Sequence, residues 1–336
     1  MHSDPQPFVS VLTPCYNMGA YLAECIESVL RGTYSNFEYI IVNNRSTDES
    51  LDIASKYAKA DSRVRVHNNE KFVGVIENHN TAFRMISPAA KYCKVVSADD
   101  FLFPDCIAQL VERAEANPSV GIVGSYQLSG ASIKWQGFEY PQAVIPGREL
   151  CRKIFLGGDP SFGFGTPTSL LYRADVVRRT SEFYPNASPH SDTSACFRAL
   201  RDTDFGFVYQ VLSYERTHEA TQSSASSNIN RYVSAYLDDV MQYGGWYLTE
   251  SELEKKLKET VAEYYGFLAT NLFRSRDRSF WDYHKGRLEE LGQPLQRPRL
   301  LKALVMKSLQ EVMNPEQAFR RVRQLVVPAH PTNNAR

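Results

Sequence analysis

The chain has 336 residues, 43% of them hydrophobic, enough to bury a core in one large α/β domain or in a domain with an appendage. Its 38 basic residues balance 38 acidic ones, so no global field draws it to nucleic acid and partners have to be argued from local sites. Cys15, Cys25, Cys93, Cys106, Cys151 and Cys196 form no C-x-x-C pair, which argues against zinc or a disulfide framework and for reduced thiols in a cytoplasmic compartment. The N-terminus lacks a basic segment followed by an apolar stretch, and no apolar run approaches the roughly 18 residues of a membrane span. The expectation is a soluble protein, at most attached peripherally to the inner face of a membrane.

Residues 8–14 are a β-branched run closed by proline, the pattern of a buried strand opening a parallel sheet. Leu22, Cys25, Ile26, Val29 and Leu30 then recur at helical spacing. Residues 37–42 form the second strand and enter a polar cluster in which Ser46, followed by Glu49, predicts a capping box for a helix reaching about Tyr57. Residues 63–67 alternate as a third strand, 75–85 read as helix and 92–97 as a fourth strand. Strand alternating with helix predicts a mainly parallel sheet wound by right-handed crossovers.

Ligands of such sheets bind beyond the carboxyl ends of the strands. Three polar clusters fall there: Thr13 to Asn17, Asn43 to Ser46, and the pair Asp99 and Asp100. Adjacent carboxylates where a buried strand emerges are costly unless a cation or hydrogen-bond donors satisfy them, so the pair predicts a metal-assisted phosphate site. Downstream, residues 120–125 and 205–214 read as strands, separated by a Gly/Pro-rich stretch around 157–168 of the kind that carries substrate contacts. From Ser226 the pattern is helical, with Thr249 and Glu252 as a second capping box. The segment from Pro298 has an apolar face bordered by Lys302 and Lys307. It can lie on an anionic membrane, dock on its own domain or make a homodimer, and packing of Leu300, Leu304 and Val305 favours the last two.

Residues 9–17, 42–50 and 97–100, in that order, resemble the signature of family 2 glycosyltransferases of the GT-A fold, and the resemblance runs to about residue 220. It implies an α/β GT-A domain over 1–225, a mainly parallel sheet with helices on both faces, followed by a helical extension over 226–336. It also implies an inverting transferase that uses a nucleotide-diphosphate sugar donor and Mn2+ or Mg2+, with a glycan or lipid-linked acceptor.

By the same resemblance Thr13, Pro14, Tyr16 and Asn17 hold the base and ribose of the donor, and Ser46 and Asn80 contact it. Many relatives carry Asp-Asp-Gly-Ser where this chain has Asn43, Asn44, Arg45 and Ser46. An Asn amide both donates and accepts, so Asn44 is expected to pair with uracil. Gly74 and Asn80 match a family segment in which His79 replaces an Arg. Asp99 and Asp100 correspond to the carboxylates that bind ribose and metal, with Ser97 where relatives have a further Asp. Thr166 and Arg216 are implied as acceptor or phosphate contacts, Asp192 as the general base, His218 as a metal ligand and residues 223–228 as a lid. The alternative, a catalytically silent nucleotide-sugar or glycan-binding module, draws on the missing acids at 43, 44 and 97. Asp99, Asp100, Asp192 and His218 oppose it.

Overall fold

The computed structural model describes residues 6–157, 163–185, 190–217, 229–272 and 277–313, with side chains to 309. β1 (Val9–Cys15) is buried along almost its whole length, as a strand covered on both faces must be. It lies between β2 (Phe37–Asn43) and β4 (Tyr92–Val95), parallel to both, with Leu12 in register with Ile40 and Val95. β3 (Val64–Asn68) extends the parallel set beyond β2.

β9 (Leu170–Arg173) then runs antiparallel between β4 and β6 (Val120–Ser129), so β6 has the direction of the first set again, and β10 (Asp204–Glu215) is parallel to β6. β5 (Phe101–Leu102) closes the edge, while β7 (Ser132–Lys134) and β8 (Val144–Ile145) pair with β6 and β10. The result is a ten-stranded, mainly parallel sheet in the order β3-β2-β1-β4-β9-β6-β10-β5.

On one side of the sheet α1 (Gly19–Leu30), α2 (Ser50–Ala60) and α4 (Cys106–Glu115) pack into a core with Val9, Val11, Tyr39 and Ile41. Strand residues of opposite parity, Leu12, Ile40 and Val42, are equally buried, and α3 (Val75–Arg84) packs on β1 and β2. α5 (Gly147–Leu156), α6 (Ala174–Val177) and α7 (Ser191–Ala199) complete the α/β part. All six cysteines are buried and unpaired. α2 starts at Ser50 and not at the predicted Ser46 box, because Ser46 Oγ accepts from the Asn17 N–H while Asp48 Oδ1 takes the Ser50 N–H.

Two compact units emerge: Met1–Ala225 with Asp239–Leu253, and Ser226–Asp238 with Glu254–Arg336. α8 (Tyr232–Tyr247) and α9 (Glu250–Asn271) therefore each contribute to both. The predicted box at the start of α9 forms, Thr249 N–H donating to Glu252 Oε2 at 2.9 Å. The second unit also holds α10 (Arg278–Glu290) and α11 (Arg297–Met313) around Leu237, Tyr264, Leu268, Phe280 and Leu288. Leu300 of α11 packs on this core, whereas Val305, expected to pack, is exposed because it lies on the other side of the helix. No described helix is long and apolar enough to cross a membrane.

Candidate active site

Parallel register brings the ends of β1, β2 and β4 side by side, so the three polar clusters are neighbours. The first two are knitted together. Asn17 adopts a left-handed φ of 52°, which Asn tolerates, and gives its N–H to Ser46 Oγ while its Oδ1 accepts from Thr47 N–H at 2.8 Å. Met18 and Gly19, at the start of α1, donate their N–H groups to Ser50 Oγ and Asp48 Oδ2. Burial works against the charge of Asp48, yet hydrogen bonds from Ser50 and Gly19 hold its carboxyl below the usual carboxylate range. Arg45 holds a left-handed φ of 59°, at a backbone cost of about 1–2 kcal/mol for a non-glycine residue.

A buried amide network lies behind these loops. Asn44 Nδ2 donates to Val73 O at 2.8 Å, and its Oδ1 accepts from Val73 N–H and Asn69 Nδ2, each at 3.0 Å. Asn69 also donates to Asn78 Oδ1, and Asn78 Nδ2 reaches Val42 O. Three residues expected at the donor turn their side chains to the protein itself. Asn44 engages Val73 and Asn69 with its amide. Thr13 is fully buried, its Oγ1 donating to Val96 O and lying 2.9 Å from Tyr39 Oη, so it bolts β1 to β4. Asn80 is buried with both ends of its amide on the Tyr184 backbone.

What the network presents outward is aromatic. Clamping Val73 holds Phe72 against Tyr16, ring centroids 4.9 Å apart, with the two side chains 58% and 40% exposed. Pro14 is half-buried beside them in sequence. Phe72 was not singled out from sequence; its only signal was a large apolar residue in a polar loop.

At the end of β4 the two carboxylates part company. Asp100 is buried, with Oδ2 accepting from Thr168 Oγ1 at 2.5 Å and Oδ1 from Arg216 N–H at 3.0 Å. Burial, reinforced by the charge of Asp99, pushes its carboxyl up to about 7. Asp99 is only half-buried. Arg216 closes over the turn: Nε donates to Asp99 O at 3.0 Å, Nη2 pairs with Glu24 at 2.5 Å and the guanidinium lies over the Tyr21 ring. Thr168, which also accepts from Ser97 N–H, anchors this turn and was not singled out from sequence. Thr166 itself donates to Gln127 Oε1 at 3.0 Å.

Asp192 is half-buried in the first turn of α7, one oxygen accepting from Thr193 N–H at 2.8 Å. Its charge is felt at His79, Tyr172 and Tyr184. Burial pulls the His79 pKa down, which Asp192 partly offsets. His218 and residues 223–228 lie outside the described residues. A cavity of about 540 Å3 lined by Phe83, Arg84, Pro88 and Arg178 sits at the opposite edge of the sheet, around the residues preceding β4 and following β9, and is not this site.

The profile described as glycosyl transferase family 2 matches residues 10–180, half of the chain. The chain belongs to this family. The glycosyltransferase GlyG of Streptococcus pneumoniae is 33% identical over 118 residues, 35% of this chain and 38% of GlyG, so the match spans little more than a third of that relative. Among solved structures, residues 1–349 of S. aureus TarS in complex with UDP-GlcNAc align with a TM-score of 0.61 at 17% identity, covering 93% of this chain and 87% of that one. The mannosyltransferase PcManGT from Pyrobaculum calidifontis, in complex with GDP-Man and Mn2+, aligns with a TM-score of 0.55 at 14% identity, covering 92% and 88%. The fold is therefore GT-A, with the helical part appended.

Does the donor set of this family 2 chain suit a divalent cation? Among the described residues no group of three or more His, Cys, Asp or Glu could hold one by itself. Mg2+ and Mn2+ sites commonly take one or two carboxylates and complete the shell with substrate phosphates and water. Asp99 offers that carboxylate, and a cation beside it would relieve the repulsion that raises Asp100, so the residues fit a site completed by a diphosphate.

Two outcomes test this geometry. Asn44→Asp should cost about 2–4 kcal/mol at pH 7, since a buried carboxylate would face Val73 O where a donor is needed. Its folded-state pKa would be raised, so the loss should shrink toward pH 4; urea melts at the two pH values check this. Asp100 binds its proton more tightly folded than unfolded, so its contribution is full below about pH 4 and lost as pH rises to about 7. Asp100→Asn keeps both contacts, because the Thr168 hydroxyl can reverse its role. The melting temperature of the variant relative to wild type should accordingly climb between pH 4 and 8, and a flat difference would contradict the buried assignment.

Proposed function

We propose that the chain is an inverting, metal-dependent glycosyltransferase that moves a sugar from a nucleotide-diphosphate donor to a hydroxyl of a glycan or lipid-linked acceptor, as in cell-surface polysaccharide synthesis. The observation that carries the reading is the division between two adjacent carboxylates: Asp100 spends both oxygens inside the protein, and Asp99 is left half-buried at the carboxyl edge of the sheet. A carboxylate at that edge, beside a buried neighbour whose oxygens are already engaged, suits a ligand that arrives with positive charge. Asp99 is accordingly the direct metal ligand, with Asp100 setting the turn.

Tyr16 and Phe72 supply ring faces for the base, and Asn17 with Ser46 shapes the loop beneath it. TarS is in complex with UDP-GlcNAc and PcManGT with GDP-Man and Mn2+ on the same fold, which supports a nucleotide sugar and a cation here. Uridine is the first base to test, since stacking on an exposed pair needs no larger ring system and TarS aligns with the higher score.

In the reaction Asp192 takes the proton of the acceptor hydroxyl as that oxygen forms its bond to the anomeric carbon. The bond from the anomeric carbon to the diphosphate breaks on the opposite face, which inverts the carbon, and the electron pair leaves with the nucleoside diphosphate. A divalent cation, when bound, neutralises charge on that leaving group. Arg216 holds the Asp99 turn in place, and Thr166 is assigned to the acceptor side by the family resemblance.

Calorimetry with UDP and Mn2+ tests the donor half: Asp99→Asn should lose metal-dependent binding by at least tenfold, Asp100→Asn should lose less, and GDP should bind more weakly than UDP. Equal affinity in wild type and Asp99→Asn rejects the metal assignment. For the acceptor half, Asp192→Asn should leave UDP binding near wild type while transfer falls by roughly 10²–10⁴-fold. Mass spectrometry of glycosylated product reads the outcome, and near-wild-type turnover removes Asp192 from the mechanism.

A further inference from the structure

α11 has two apolar sides. Leu300, Ala303 and Leu304 are half-buried, Leu300 against the core of the second unit, and Lys307 Nζ donates to Thr270 Oγ1. At 100° per residue the remaining large apolar side chains fall on an arc of roughly 140° turned away from that anchorage. Leu301, Val305 and Leu309 follow one another at one-turn spacing with Met306 at their side, and they are 62%, 50%, 51% and 51% exposed in the order Leu301, Val305, Met306, Leu309. Isolated exposed apolar residues are ordinary, but four in one row on a single helix are not.

The charges around the arc select its occupant. Arg297 and Arg299 lie at its two margins and Lys302 within it; all three are exposed, and none forms an ion pair among the described residues. The described side chains of α11 include no acid. A second copy packed on this face about a two-fold axis would set these cations against the same cations, with no carboxylate to separate them. A bilayer carrying anionic headgroups meets both requirements at once: Leu301, Val305, Met306 and Leu309 enter the acyl boundary, while the long basic side chains reach the phosphate level. The sequence from residue 310 adds Arg320, Arg321, Arg323 and Arg336 against Glu311 and Glu316, continuing the positive bias.

We propose that α11 is a membrane-surface helix which lays its outward arc on an anionic phospholipid bilayer. Neither the family nor the sugar chemistry requires this; it rests on the arc and its cations alone. Each cation held near an anionic surface multiplies partitioning roughly fivefold, and salt weakens that part first.

The full chain should float with vesicles of phosphatidylglycerol and phosphatidylcholine in equal parts and stay in solution with phosphatidylcholine alone. Raising NaCl from 0.1 M to 0.5 M should lower the partition coefficient at least tenfold. Leu301→Gln with Leu309→Gln, helix-compatible changes at exposed sites, should lower it by a similar factor with an unchanged thermal melt. Arg299→Glu with Lys302→Glu should abolish it. Equal flotation of the wild type and both variants overturns the proposal, and so does an absence of binding to the anionic vesicles. Light scattering supplies the remaining arm: a concentration-dependent dimer that the Leu301→Gln, Leu309→Gln variant abolishes assigns the arc to a second copy and also overturns it.

Discussion

Lys94 sits in the middle of β4 with no exposed surface, and its ammonium donates to the carbonyls of Val95, Thr168 and Leu170. β9 is the reversed strand that joins the parallel set β3-β2-β1-β4 to β6 and β10, and the β4–β9 seam is where those carbonyls lie. Thr168 then passes the connection on, its hydroxyl donating to Asp100. A buried lysine without a carboxylate partner is expensive, and burial pulls its pKa down while nearby charges, Asp100 among them, push back. Each carbonyl left bare without it would cost about 1–3 kcal/mol. The placement of Asp99 thus depends on a charge two turns of backbone away that never meets solvent.

The loops from β1 and β2 solve a different problem with neutral groups. Two amides, Asn43 and Asn44, stand side by side where β2 ends. Asn44 donates to Val73 O as well as accepting from Val73 N–H, which an amide can do and an ionised carboxylate cannot. Asn43 gives its Nδ2 to Asn68, and its Oδ1 is already a buried acceptor with no partner among the described residues. A carboxylate there would add charge to an oxygen that nothing satisfies. Arg45 keeps a left-handed turn that a glycine would adopt freely.

Much of the architecture was legible because it follows from periodicity: β-branched runs, helical spacing and polar clusters at strand ends place β1, α1, β2, β3, α3 and β4 in order. Side-chain direction was not. The family resemblance implies Thr13 and Asn80 as donor contacts, yet a buried hydroxyl or amide serves the backbone equally well, and sequence does not say which. Ser46 and Glu49 have the spacing of a helix start, but Asn17 competes for the Ser46 oxygen across 29 positions of sequence. Lys94 was visible as a charge inside an apolar run. Its partners were not, because they belong to a strand whose reversal leaves no local mark. The outward row on α11 was similarly hidden, since apolar residues on two sides of one helix give no signal of which side is covered.

The acceptor side repeats the logic of neutral scaffolding around one open acid. Asn80 fastens α3 to Tyr184 through two hydrogen bonds, and Tyr184 stacks on His79 at 5.4 Å. Ser194 Oγ donates to the buried Asp239 at 2.6 Å, and His190 lies 3.7 Å from the same carboxylate, so the first turn of α7 is held from both sides of Asp192. A general base works only if it meets the acceptor oxygen at hydrogen-bond distance while the donor is in place. At Asp192 the helix turn is held by groups besides the proposed base. At Asp99 the backbone is held by Arg216, and the neighbouring Asp100 carries hydrogen bonds from Thr168 and Arg216. In both places groups other than the proposed acid support the backbone turn.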